Sequence, residues 1–511
     1  MPKPPTDVLI IGAGPTGLVL ALWLTRQGLN VHIIDKAIAT ASTSRALAIH
    51  ARTLELYRQL DLADELLSLG HKIEATNLWS EGSYRARIPI GDVGKGLTPY
   101  PFVFILSQDV HERVLERRLN EMGVYVNRNR ELVAFDELET HVSARLKSTE
   151  DGEIETREAS YIVGCDGAHS AVRHLSGIEF EGDTYTQLFY VADIEASGPA
   201  MNGEAHVSFN QSDFFLLFAF DAGKTARVGG AIDESRIAKD AAEITFDDLA
   251  PSMRKNMQLD VSKVNWFTTY RVHHRLAKSF RKGRAFLVGD AGHIHSPVGG
   301  QGMNTGIGDA INLAWKLAAV VHGKADPALL DTYEVERRAF ASTLVQTTDW
   351  AFNSIVGTGY FVSFFRTWII PYAAPFMTRF EKFRHRVFRG MSQTLINYRQ
   401  SNLSAGNVGE VQGGDRLPWA PVGDVDNFDS LGAISWQVHV YGEVDEKLVD
   451  WSRRKEVALT VFPWNEKYQS TGLQKDTAYL LRPDTYVAVV EPSGLPDQFD
   501  EYLETNKLCV S

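Results

Sequence analysis

The first 35 positions set two short apolar runs, 8–11 and 31–34, on either side of a glycine-rich turn and a longer apolar stretch at 18–26. Short continuous apolar runs bounded by glycine read as buried strands and the longer run as a helix, so a βαβ unit is predicted. From 61 to 118 helical patterns dominate and end in an amphipathic helix over 109–119. Residues 124–126, 132–135 and 142–146 read as strands, and 161–163 as a short apolar strand leading into Gly-Cys-Asp-Gly. Between about 182 and 270 the signal changes to alternation, as in 205–209 and 214–220. Period-two runs predict a mostly antiparallel sheet, inserted as a second domain into the first.

The buried-strand signal returns at 285–288, followed by a glycine-rich turn and a helical run over 308–321, so the chain re-enters the first domain. Residues 335–400 read as helical and aromatic, and 401–414 as a polar linker. The tail reads as strand 436–441, helix 446–453, strand 457–462, hairpin 479–490 and helix 495–504. The expected division is 1–181 resumed at 281–400, an inserted sheet domain at 182–280, and a small third domain at 411–511.

Length and composition narrow the function. A chain of 511 residues exceeds what one hydrophobic core supports, and 44% hydrophobic with 23% charged residues is an ordinary globular balance. Lys plus Arg total 52 against 64 Asp plus Glu, a formal net charge of −12 that disfavours nucleic acid as a partner. Two cysteines, Cys165 and Cys509, argue against a disulfide framework and fit a reducing, cytoplasmic setting. Residues 1–7 lack the layout of an export signal. The membrane-like stretch 360–377 is interrupted by Arg366, Pro371 and Pro375, so no membrane span is expected. A buried helix pair at a domain interface is the favoured reading there, and a segment dipping into a membrane the alternative.

Gly12, Gly14 and Gly17 form G-x-G-x-x-G directly after a strand and open a helix. Gly12 permits the tight turn, Gly14 lets a pyrophosphate approach the backbone, and Gly17 permits close helix–strand packing, while the helix N-terminus favours phosphate. Asp35 closes the second strand, 23 residues after Gly12, and is placed to bind a ribose. Thr16 and Lys36 are further candidate contacts. This context predicts a dinucleotide site, against a purely structural glycine turn.

Two later motifs narrow the dinucleotide: Gly164-Cys165-Asp166-Gly167-Ala168-His169-Ser170-Ala171-Val172-Arg173, and a run from Gly283 to His293 containing Gly289-Asp290. With all three in order, the sequence over about 1–335 resembles the single-component FAD-dependent aromatic hydroxylases, or class A flavoprotein monooxygenases. The tail from about 410 resembles the thioredoxin-like domain of their phenol hydroxylase branch, with Leu481-Arg482-Pro483-Asp484-Thr485-Tyr486-Val487-Ala488 matching its hairpin. The implied fold is α/β: a Rossmann-like FAD-binding domain, an inserted antiparallel substrate sheet, and a thioredoxin-like domain.

The resemblance implies FAD as cofactor, NADPH or NADH as reductant, dioxygen and a small aromatic substrate. Reduced flavin would take up dioxygen and pass one oxygen to an electron-rich aromatic carbon. Asp35 would bind the adenosine ribose and Asp290 the ribityl chain. Pro297 to Asn304, including Gly300 and Gly302, would lie against the isoalloxazine, with the N–H groups of Met303 and Asn304 facing reduced flavin. Arg45 would lie near the pyrophosphate and the nicotinamide route, Gln108 against the flavin, and Asp166 at the cofactor. A surface salt bridge for Arg45 and a helix-start role for Gln108 stay open, as does a homodimer.

Catalysis on a phenol calls for a base or polarising network. Tyr270, Arg271, His273 and His274 are candidates, with Arg45, Tyr270 and His273 singled out; a packing role is equally open for each. Phe214, Phe215, Phe218 and Phe220 read as core, or as a pocket wall. His293 and His295 have no carboxylate or thiolate fixed beside them by spacing, which disfavours a metal. Cys165 reads as an inert packed thiol. Baeyer–Villiger or epoxidising chemistry on the same scaffold is the main alternative. A halogenase is disfavoured by the missing Trp-x-Trp-x-Ile-Pro run, and a non-catalytic flavin-binding protein is the remaining reading.

Overall fold

The computed structural model describes residues 6–40, 46–209, 214–220, 223–232, 243–356 and 368–510. Strand β1 (Thr6–Ile11) is buried from Asp7 onward because strands flank it on both sides. It pairs in parallel with β2 (Val31–Ile34) and with the far half of β10 (Ile154–Gly164), which pairs in parallel with β17 (Ala285–Leu287). The near half of β10 pairs instead with the hairpin of β8 (Arg130–Glu137) and β9 (Val142–Ser148), and β16 (Arg281–Lys282) edges β17. Helix α1 (Pro15–Arg26) is buried from Gly17 to Leu24. A helix apolar all round must be enclosed. It packs against α4 (Gln108–Glu121) and α7 (Gln301–Val321).

The second sheet has eight strands in the order β18 (His293–Ile294), β15 (Asp260–Ala277), β11 (Phe180–Ser197), β14 (Thr225–Ile232), β13 (Phe214–Phe220), β12 (Ala205–Phe209), β5 (Ala75–Ser80) and β6 (Ser83–Pro89). All its pairings are antiparallel except β12 with β5. The expected mostly antiparallel sheet is present, but it also recruits 75–89 from a region expected to be helical. Helix over 61–118 is corrected to α3 (Ala63–Leu69), then β4 (His71–Ile73), β5, β6, β7 (Val103–Ile105) and α4. Alternation explains the correction. Leu78 and Ile88 pack with Phe209 and Phe214, whereas Trp79 bonds His206. Long-range pairing with β12 overrides the local pattern. Residues 124–126 form no strand; Asn127 makes one isolated bridge to Ile34. A small sheet joins β3 (Ala48–Ile49), β7 and β4, and α2 (Ala51–Arg58) follows β3.

One face of the large sheet packs Phe215 and Leu217 against Leu249, Met253 and Met257 of α6 (Phe246–Met257). Phe214, Phe218 and Phe220 lie on the other face and stay partly buried. The four phenylalanines are therefore divided between core and the opposite surface, as strand periodicity requires.

The short α5 (Ala171–Leu175) follows β10, and α8 (Asp331–Val356), α9 (Ile370–Met377) and α10 (Glu381–Met391) come after α7. Of the stretch 360–377, residues 360–367 lie outside the described residues. From Trp368 onward the buried-pair expectation fails: Pro371 is buried, but Trp368, Ile369, Tyr372, Phe376 and Met377 are exposed. Among the described residues no helix is long and apolar enough to cross a membrane.

The tail forms a four-stranded sheet, β22 (Ala458–Phe462), β21 (Gln437–Tyr441), β23 (Ala478–Leu481) and β24 (Val487–Glu491), with α11 (Glu446–Lys455), α12 (Glu466–Ser470) and α13 (Asp497–Thr505). The first pair is parallel and the rest antiparallel. Residues 401–414 are not a free linker. They hold a hairpin, β19 (Asn407–Val408) with β20 (Val411–Gln412), and buried Ser401 donates to Glu336 at 2.7 Å.

Candidate functional site

The three glycines of the first turn differ in what surrounds them. Gly12 has φ +102°, and a Cβ there would sit 2.4 Å from the Cys165 carbonyl oxygen. A Cβ on Gly17 would sit 2.0 Å from the Gly12 carbonyl oxygen, whereas one on Gly14 would meet nothing within 4 Å. Two glycines serve packing, and the third leaves open space in front of a helix start. That helix, α1, has neither a side-chain cap nor an acidic residue in its first turn, so its N–H groups and positive end suit an anion. Asp35 accepts the Ala13 N–H at 2.7 Å and the Ala37 N–H at 2.8 Å, which holds its carboxylate beside the turn; Lys36 is exposed next to it. The hydroxyl of Thr16 packs against Gly289 and Gly306, joining this turn to α7.

The other two motifs converge on the same region. Asp166 accepts the Ala171 N–H at 2.7 Å and so caps α5, and burial raises its carboxyl. Arg173 donates to the carbonyls of Ala168 and Ala291, both at 2.8 Å, tying the Asp-Gly motif to the Gly-Asp motif. Cys165 is buried, which pushes its thiol well up. Gly289 adopts φ +62°, and Asp290 is exposed on the turn Gly289–Ala291.

Sequence spacing placed no carboxylate beside His293, but the fold brings one there. Asp309 of α7 accepts from the Gly289 N–H at 3.1 Å, hydrogen-bonds His293 Nε2 at 2.7 Å, and accepts from Arg337 Nε at 2.6 Å. Burial alone would raise its carboxyl; Arg337 and His293 hold it low. An acidic residue inside the apolar run of α7 was the available signal.

The start of α7 carries no side-chain cap and follows two left-handed glycines, Gly299 (φ +77°) and Gly300 (φ +64°). Asn304 fastens it: Nδ2 donates to the carbonyls of Ala48 and Gly300, and Oδ1 accepts from the His50 N–H and the Thr53 hydroxyl. Pro297 and Gly300 are exposed, while Gly302 and Met303 are half-buried. His50 Nε2 bonds the Gly299 carbonyl at 3.0 Å. His295 Nδ1 bonds the Ser296 carbonyl, and its Nε2, which has no hydrogen-bond partner among the described residues, lies 3.9 Å from where a Gly302 Cβ would be. Burial pushes both imidazoles down to about 4. Gln108, the first residue of α4, accepts from the Ala46 N–H at 3.1 Å and donates to Glu112 at 2.8 Å. Arg45 lies outside the described residues.

Tyr270 and His273 share β15 but are not brought together. Three residues apart, they face opposite sides of the strand. Tyr270 packs against the Phe189 ring, its centroid 6.1 Å away, and His273 bonds the Thr184 hydroxyl at 2.7 Å. A partly buried apolar wall of Leu47, Ile90, Val103, Phe218 and Phe220 surrounds Ile73 and Ile105, and Leu47 adjoins the Ala48 carbonyl held by Asn304. A cavity of about 620 Å3 beside Trp79, His206 and Glu204 opens on the other face of the sheet. Its polar groups are already matched, Trp79 Nε1 to His206 Nδ1 at 3.0 Å and Arg87 to Glu204.

Residues 5–348 match the model of the FAD binding domain family. The chain is similar to 6-methylpretetramide 4-monooxygenase of Streptomyces rimosus, 37% identical over 412 residues that cover 78% of this chain and 71% of the relative. It is also similar to a flavin-dependent monooxygenase of Mycobacteroides abscessus, 30% identical over 95% of this chain and 97% of the relative. Among solved structures, OxyS anhydrotetracycline hydroxylase from Streptomyces rimosus superposes with a TM-score of 0.79 at 26% identity, covering 99% of each chain. A glycine turn open only at Gly14, a Gly-Asp turn fixed by Asp309 and a family match spanning both place this chain in the FAD-binding-domain family of FAD-dependent aromatic monooxygenases.

Proposed function

We propose that the enzyme uses NAD(P)H and dioxygen to hydroxylate a phenolic substrate lying between the apolar sheet face and the start of α7. FAD, when bound, supplies the redox and oxygen-activating chemistry. The residues present fit it. The uncapped start of α1 and the space before Gly14 would accept the pyrophosphate, and Asp35, its carboxylate held beside the turn, would bind a ribose. Asp290, exposed on its turn, would hold the ribityl chain, and Thr16, Lys36, Gln108 and Asp166 would contribute to the same cofactor site. The N–H groups of Met303 and Asn304, with the positive end of α7, would favour negative charge on a reduced ring. Arg45 serves the nicotinamide route, docking being transient because the chain has one dinucleotide fingerprint.

The observation that carries the substrate reading is the wall of Leu47, Ile90, Val103, Phe218 and Phe220 at one end of α7. An apolar wall excludes water and takes a flat ring by its faces. The tail adopts a thioredoxin-like role as scaffold rather than as redox partner, since it has no Cys-x-x-Cys; the enzyme acts in the cytoplasm.

The test is NADPH oxidation by the FAD-loaded protein across a phenol panel that includes 6-methylpretetramide and anhydrotetracycline. Oxidation that rises with one compound, and a product heavier by one oxygen atom, is expected. No stimulation by any phenol, with only ketones or alkenes turned over, would overturn the hydroxylase reading in favour of Baeyer–Villiger or epoxidising chemistry.

A further inference from the structure

Nine of the 22 exposed large apolar side chains among the described residues fall within 368–395. Four of them are aromatic and spaced by four: Trp368, Tyr372, Phe376 and Phe380, exposed by 53%, 56%, 56% and 53%. That spacing sets them on one side of α9 and its flanks, and the rings of Phe376 and Phe380 meet edge to face at 5.4 Å. The opposite side of α9 is already used: Ile370 and Ala374 pack on the cluster of Leu78, Ile88 and Phe209 of the large sheet. The helix thus has an inner apolar face against the substrate sheet and an outer aromatic face toward solvent. Scattered exposed apolar residues need no explanation, but a contiguous aromatic stripe does.

Charge says what covers it. The segment 368–391 contains one acidic residue, Glu381, whereas Arg379, Lys382, Arg386 and Arg389 are exposed cations around the stripe, in a chain whose formal net charge is −12. Aromatic rings with a rim of Lys and Arg match the boundary between headgroups and acyl chains of an anionic bilayer. A second copy of the chain fits less well, because a two-fold contact through this face would bring the same cations against each other.

We infer that the outer face of α9, with the basic turn and α10 that follow, is a docking surface for an anionic lipid bilayer. The helix lies in the interface plane, Trp368, Tyr372, Phe376 and Phe380 enter the headgroup boundary, and the cations hold the lipid phosphates. The surface is linked to the cofactor region: Gln301 at the start of α7 donates to the carbonyl of Met391, the last residue of α10, at 3.0 Å. Docking would set the apolar sheet face beside a reservoir of water-insoluble aromatic compounds. The lipid inference stands apart from the proposed hydroxylation.

Flotation of the FAD-loaded protein with two kinds of vesicle tests it, phosphatidylcholine alone and phosphatidylcholine mixed with phosphatidylglycerol. Binding is expected with the mixed vesicles, weaker without phosphatidylglycerol, and reduced by salt. Each of Arg386→Gln and Arg389→Gln should lower vesicle affinity about fivefold. The double variant Trp368→Ser, Phe376→Ser should lower it about tenfold or more, with flavin colour and melting midpoint retained as controls of folding. Absence of binding to mixed vesicles, or binding that the variants leave unchanged, would overturn the inference. So would a dimer in light scattering that the aromatic variants turn into a monomer, since the stripe would then join two copies.

Discussion

Arg482 forks onto Glu336, its two terminal nitrogens donating to the two carboxylate oxygens at 2.7 and 3.0 Å with neither side chain exposed. The arginine stands on the tail hairpin and the glutamate on α8, so the pair joins the tail sheet to that helix. Burial alone would raise the Glu336 carboxyl; Arg482 and Lys316 hold it far below the usual range. Lys316, Asn312 and Ser401 complete its hydrogen bonds. Arg482→Met should therefore cost about 3–5 kcal/mol, because it leaves a buried charge without its main partner. Urea unfolding measures this, and a loss below about 1 kcal/mol would show that the hairpin docks by packing alone.

The glycine turn separates folding from binding. Gly14→Ala adds a methyl group to open space, so the protein should melt within about 1 kcal/mol of the parent while FAD affinity falls. Gly12→Ala must shift the Cys165 backbone or abandon its positive φ, and Gly17→Ala must shift Gly12, so both should destabilise the apoprotein by about 2 kcal/mol or more. Thermal melts with and without FAD distinguish the two classes; equal destabilisation at all three positions would contradict the geometry.

Legibility in the sequence followed the range of the interactions. The βαβ unit and the tail elements rest on local periodicity and turn residues, and β21 to β24 fall close to where alternation put them. Residues 75–89 form strands against their local pattern because their pairing is set by β12, more than a hundred positions away. Asp309 shows the same limit at the site. Its carboxylate meets His293 only because α7 folds back over the Gly-Asp turn. The exposed side of α9 was invisible for a different reason: an apolar stretch carries no mark of which side is covered.

Asp309 acts through the Gly289 turn rather than on substrate. Asp309→Asn keeps the volume but loses the charge that Arg337 and His293 share, and one acceptor of the Gly289 N–H, Arg337 and His293 set becomes a donor. FAD affinity should fall by about tenfold or more, with the far-ultraviolet spectrum retained. Equilibrium titration with FAD checks this, and unchanged affinity would leave Asp309 a core ion pair without a hold on the turn.

The two thiols should react very differently. Cys165 is buried and its thiol is pushed well up, while Cys509 is exposed. Iodoacetamide should modify Cys509 alone in the folded protein and both after denaturation, as peptide mass spectrometry will show. Modification of native Cys165 would mean that the strand end opens to solvent.

Buried imidazoles give stability a definite pH dependence. Burial lowers His50 to about 4 and His111 to about 3, against an ordinary value of 6.5. Between those values the unfolded chain binds protons that the folded chain does not, so stability rises with pH across that window and is lost as pH falls below 6.5. Each ring adds a slope of about 1.4 kcal/mol per pH unit well inside the window. Down to about pH 5 the carboxylates stay largely ionised, which isolates the histidines. His111 bonds the Tyr57 hydroxyl at 2.8 Å from inside the α2–α4 contact, and His111→Gln keeps a polar group there without a titrating one. Urea midpoints between about pH 7 and pH 5 should fall for the parent and fall less for the variant. Parallel profiles for the two proteins would mean that His111 is protonated in the folded state and bonded in a way the Tyr57 contact does not describe.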